Sequence, residues 1–138
     1  MDNFLNNEAV IAFALRLILG IMFLIQGYDK LFNVGMKGVV TTVNNQYIDK
    51  GFPVWAVTLI SYLTTYIEFL AGLLLILGLF KTIALYSLLL DITIVTFGMS
   101  ILNPLWDMRY VWPRLVLLIT LMLLPDTWDV LSVDYLIK

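Results

Sequence analysis

VIAFALRLILGIMFLIQGYDKL, residues 10–31, is an apolar run broken near its start by one arginine, Arg16, and the rest of the chain repeats its design. At about 1.5 Å per residue such a run crosses a hydrocarbon core of roughly 30 Å when helical. In lipid only helices and closed barrels satisfy every backbone polar group, and the strict alternation of barrel strands is absent here. Further apolar runs cover about 54–79, 82–102 and 107–124. The chain therefore reads as all-α, an integral membrane four-helix bundle forming a single transmembrane domain over residues 1–138. Composition agrees: 62% of the residues are hydrophobic and 13% charged, with a mean hydropathy of +0.96. Soluble domains run nearer half apolar and a quarter charged.

The same composition narrows the chemistry. Cysteine and histidine are both absent. Thiol-disulfide exchange, iron–sulfur ligation, His- or Cys-ligated haem and the usual zinc sites each need one of them, so no metal site and no covalently bound cofactor are expected. A redox role would use a diffusible or partner-held cofactor. The formal charge of −2 offers no basic surface for nucleic acid. The opening MDNFLNNEAV is acidic rather than basic, and Arg16 interrupts the apolar run, so the first helix is expected to remain in the mature protein.

Between the first and second spans lies the one sizeable loop, 33–53, where NVGMKGVVTTVNNQYIDKGFP mixes glycines, asparagines and lysines with an apolar scatter at Val39, Val40 and Val43. It reads as a short amphipathic segment at the interface, closed by the Gly51-Phe52-Pro53 turn. Gly78 and Lys81 mark a tight turn, so spans two and three form a hairpin. Trp106, Tyr110 and Trp112 suggest an aromatic belt at one membrane face, and Pro113 with Arg114 suggests a late or kinked fourth helix. Lys30, Lys37, Lys50 and Arg109 on the loop side outnumber Lys81 and Lys138 on the terminal side, which favours both termini outside.

Four charges interrupt the apolar interiors of the spans, each in a different span: Arg16, Glu68, Asp91 and Arg114. A charge at mid-bilayer costs roughly 2.5 kcal/mol or more, so such residues usually pair or line a functional interior. Arg16, Gly20, Phe23, Gly27 and Lys30 share one helix face, as do Glu68 and Gly72 with Thr58, Ser61 and Thr65, and Asp91 and Gly98 with Ala84 and Ser87. Small residues of this kind let membrane helices approach, which assigns Gly20, Gly27, Gly72 and Gly98 to helix packing. Helical rise puts Glu68, Asp91 and Arg114 roughly 14 to 17 Å from the terminal face and Arg16 roughly 9 Å. One polar cluster of all four is expected. Gln26, Asp29 and Lys30 close span one, either as a solvated helix end or as the mouth of a polar cavity. The cluster itself reads either as salt bridges that specify helix pairing, or as a site for a small anion or quinone head group, or a proton relay.

RLILGIMFLIQGYDKLFN at 16–33, the Gly51-Phe52-Pro53 turn and IEFLAGLLLILGLF at 67–80 resemble the DoxX family of small membrane proteins. Arg16, Gly20, Gly27, Lys30, Glu68, Gly72 and Gly78 fall where that family places its Arg, Gly, Lys and Glu positions, whereas Asp91, Arg109 and Arg114 stand where members often carry His or Glu. The resemblance implies a multi-pass protein of the bacterial inner membrane. The family takes its name from a subunit associated with an archaeal thiosulfate:quinone oxidoreductase, and relatives are linked to membrane redox and thiol stress. The leading expectation is thus a redox-associated protein holding a quinone or small anion at the charged cluster beside a membrane or peripheral redox partner. Its alternative is a non-enzymatic accessory or scaffold subunit, and a transporter or channel is a third. None of these motifs assigns an enzymatic activity or an oligomeric state.

Overall fold

The computed structural model describes residues 6–103 and 108–137, and every regular element among them is helical. The first helix, α1 (Asn7–Tyr28), begins where the Asn6 side chain accepts the Ala9 N–H at 2.8 Å and Glu8 faces the positive helix end. It continues into a π-helical segment, Asp29–Gly35, and Gly35 then takes φ +75°, which a side chain would resist, to launch α2 (Met36–Tyr47). The expected loop at 33–53 is therefore largely helix. It packs on the following helix, α3 (Val54–Leu77), with Asn44 donating to Thr58 at 3.0 Å.

α3 ends at Gly78 in the left-handed conformation, with the Leu79 N–H reaching the Leu74 carbonyl at 2.9 Å, and the chain turns directly into α4 (Lys81–Leu102). That is the hairpin read from Gly78 and Lys81. α5 (Trp112–Leu123) packs on α1 and α4. It is shorter than the expected span at 107–124. Its 12 residues rise about 18 Å, against a core of roughly 30 Å. Pro113 explains the late start, because proline fits the first helical turn and disfavours helix before it. Trp106 and Asp107 lie outside the described residues, as does Lys138; Tyr110 and Trp112 of the expected belt are exposed. Three helical stretches, 7–50, 54–77 and 81–102, are long and apolar enough to cross a membrane, and α5 is an additional shorter apolar helix. Ile25, Leu59, Leu70, Ile83 and Phe97 present the outward apolar surface that lipid would cover.

The closest packing joins α1 to α3, and glycine makes it feasible. A Cβ on Gly27 would come within 2.5 Å of the Phe69 nitrogen, and one on Gly72 within 2.5 Å of the Leu24 nitrogen. Backbone cannot yield as a flexible side chain can. Gly72→Val is therefore expected to lower stability by about 1–3 kcal/mol or more, seen as earlier unfolding in mixed detergent micelles. An unchanged midpoint would mean that α1 and α3 do not meet at this glycine. Gly98 serves differently, since its missing Cβ makes room for the Tyr47 hydroxyl of α2 and not for a helix backbone.

Candidate functional site

The four intramembrane charges are not gathered into one cluster. They divide between two centres, and each recruits partners from elsewhere in the chain.

The inner centre is built on Glu68, fully buried on α3. Lys30 reaches it from the π-helical segment after α1, with Nζ at 2.7 Å from Oε1 and 2.6 Å from Oε2, and Gln26 Nε2 donates to Oε1 at 2.8 Å. The approach is direct because Gly27 lets α1 sit against Phe69, next to Glu68. Asp91 of α4, 1% exposed, faces this pair electrostatically together with Arg114 of α5. Its Oδ1 is buried without a hydrogen-bond partner, and so is Gln26 Oε1. Arg114 stacks its guanidinium 5.5 Å from the Phe23 ring centroid.

The outer centre holds Arg16. A Cβ on Gly78 would collide with the Arg16 guanidinium, so the arginine lies at the level of the α3–α4 turn and not inside with Glu68. Arg16 was expected about 5–8 Å shallower than the other three, with its side chain reaching inward to join them; it does not, because Gly27 against Phe69 sets the offset of α1 on α3 and carries Arg16 to the Gly78 turn. Arg16 Nη2 donates to the Leu131 carbonyl at 2.8 Å and Nε stands 3.4 Å from Asp129. Lys81 completes the group, 3.5 Å from Asp129 and 3.0 Å from Asp126. Asp134 accepts the Phe80 and Lys81 N–H groups at 3.0 and 2.9 Å, capping α4 from the C-terminal tail.

Of the expected cavity mouth, Lys30 lines the cavity between α2, α3 and α4. Gln26 joins the Glu68 network, and Asp29 is exposed, accepting from Asn33 at 2.7 Å. Lys30 is thus no solvated helix end. The cavity, about 280 Å³, lies between α2, α3 and α4, walled by Val39, Ile60, Ile94 and Phe97 with Ser61 and Thr65 deeper in. Both hydroxyls donate to their own helix, to the Val57 and Ser61 carbonyls at 2.8 Å, which leaves their lone pairs free to accept. Glu68 lies three residues beyond Thr65 and Asp91 three before Ile94, so the inner centre is one helical turn past the cavity walls.

Sequence reasoning missed Asp126, Asp129 and Asp134. Their signal was visible as a tail with three carboxylates on the side that carries Lys81.

The DoxX family model matches residues 11–100, a stretch that holds Arg16, Lys30, Glu68 and Asp91 and excludes Arg114 and the tail. No curated protein matches the chain, and no solved structure does.

Proposed function

The chain belongs to the DoxX family, and from that premise we propose that it is a multi-pass protein of the bacterial inner membrane that holds the head group of a membrane-dissolved quinone at Lys30, Glu68 and Asp91, serving a redox partner. The observation that carries this reading is the apolar cavity leading to Lys30, backed by buried polar atoms that still lack partners.

A quinone head needs donors for its carbonyl oxygens, acceptors for the hydroxyls of its reduced form, and apolar walls. All three are at hand. An ammonium has three N–H donors, and Glu68 takes two of those of Lys30, so the third can reach a head-group oxygen without breaking the pair. Asp91 Oδ1 and Gln26 Oε1 are the free acceptors. A bound quinone would supply reversible two-electron, two-proton chemistry. Asp91 and Glu68 would hold the protons, and a chain without Cys or His leaves electron delivery to the partner. An anion clamped by both arginines fits less well, because Arg16 is engaged by Asp129 and Leu131 while Arg114 lies over Phe23.

The test is titration of protein in nanodiscs with a short-chain ubiquinone, followed by quenching of intrinsic tryptophan fluorescence. Saturable binding is expected, and Ser61→Phe, which fills the cavity, should weaken it about tenfold or more, or about 1.4 kcal/mol. Unsaturable quenching that Ser61→Phe leaves unchanged would instead support a helix-pairing network in an accessory subunit.

A further inference from the structure

α2 borders the cavity through Val39, Val43, Gln46 and Tyr47, and it packs on α3 and on the π-helical segment before it. Gly35 before it and Gly51 after it both have φ +75°, and a Cβ at either would meet nothing within 4 Å, so both ends turn in open space. Gly35 also closes the π-helical segment, a form of helix that tends to mark functional sites. α2 rests on α3, where its one side-chain hydrogen bond is Asn44 to Thr58 at 3.0 Å, and the Asn44 Oδ1 is buried without a partner. Toward α4 the two helices do not pack along their lengths. They meet where the Tyr47 hydroxyl stands over Gly98, with the Tyr47 ring set edge-on against Phe52 at 5.8 Å. The cavity wall on that side is exposed, Phe97 of α4 being 66% accessible, and on α3 Ile60 is 43% accessible.

From these features we propose that α2 is a lateral gate, swinging on Gly35 and Gly51 and latched by Asn44 on Thr58 and Tyr47 at Gly98, through which an apolar-tailed molecule dissolved in the bilayer passes between α2 and α4 into the cavity. The proposal rests on the cavity being a ligand site and adds the route and the moving part. The ligand arrives from lipid and not from water, because the wall beside the latch is apolar and exposed. Gate and site are also joined mechanically. Lys30 sits in the π-helical segment from which α2 departs, so swinging α2 bears on the pair with Glu68.

The chain has no cysteine of its own, so Asn44→Cys with Thr58→Cys gives a single pair that a short ethylene-bridged bis-methanethiosulfonate can tie and dithiothreitol release. In nanodiscs, tying the pair should slow both association and release of the short-chain ubiquinone by about tenfold or more, with recovery on reduction and no effect in either single-cysteine variant. Equal rates in the tied and released protein would overturn the gate. A second arm needs no ligand: spin labels at Val40→Cys on α2 and Phe97→Cys on α4, with the protein otherwise unchanged, report the gap between the helices. Two distance populations in nanodiscs are expected, and one narrow population would overturn the gate even if quinone binds. A protein that binds no quinone yet shows both populations would keep the gate and refute the quinone.

Discussion

Glu68→Ala should destabilise the bundle by about 3–5 kcal/mol, because removing one partner of a buried ion pair strands the other. Glu68 accepts three bonds of 2.6–2.8 Å from Lys30 and Gln26 and is fully buried, whereas the Lys30 side chain is 27% exposed. The asymmetry predicts an asymmetric result. Lys30→Ala leaves a carboxylate with no route to water beside Asp91 and should be the more damaging single change, while Glu68→Ala lets Lys30 withdraw part of its charge toward the cavity. The joint replacement Lys30→Met with Glu68→Leu removes both charges in similar volume and should recover most of the loss, since apolar substitutes for buried pairs are often neutral or better. Unfolding of all four proteins in mixed micelles decides the matter. A double variant no more stable than the singles would show that Lys30 and Glu68 are not energetically coupled.

Arg16→Leu should be comparably costly, at about 3–5 kcal/mol, with a different structural readout. Arg16 is 1% exposed and ties α1 to the tail through the Leu131 carbonyl and Asp129. Without it Asp129 keeps only Lys81, at 3.5 Å, and the tail retains the Asp134 cap on α4. The tail should then become a target for limited chymotrypsin digestion at Trp128 and Tyr135, with the helices left intact. Arg16→Leu combined with Asp129→Leu should restore resistance in part. Identical digestion of the parent and Arg16→Leu would mean that other contacts hold the tail. The two experiments also separate the centres: Glu68→Ala should leave the tail protected, and Arg16→Leu should leave the cavity side unaffected.

The helices were legible because hydropathy and length are properties of single segments. The Gly78 turn and the glycines of α1 and α3 could be read in the same way, since backbone approach and positive φ leave few alternatives to glycine. Pairing was harder. Arg16 and Glu68 each lie on a small-residue stripe, but a stripe gives the direction a residue faces around its helix and not how far each helix slides along its neighbour. Sliding α1 so that Gly27 meets Phe69 puts Lys30 at Glu68 and carries Arg16 out to Gly78. Nothing local to either helix encodes that offset. Lys30 seemed a solvated end because it closes an apolar run, whereas the helix continues through Gly35. The acidic tail after Pro125 carries no apolar run that hydropathy would mark, although its carboxylates supply what Arg16 and Lys81 would otherwise lack.

The most direct measurement is photolabelling with an azido-quinone in native-like membranes, with the attachment points mapped by mass spectrometry. Labels are expected on the cavity walls, near Val39 to Tyr47, Val57 to Thr65 and Ile94 to Ile101, competed away by unlabelled quinone and lost in Ser61→Phe. Labels confined to outward residues such as Ile25, Leu70 and Ile83, indifferent to competitor, would contradict the quinone site.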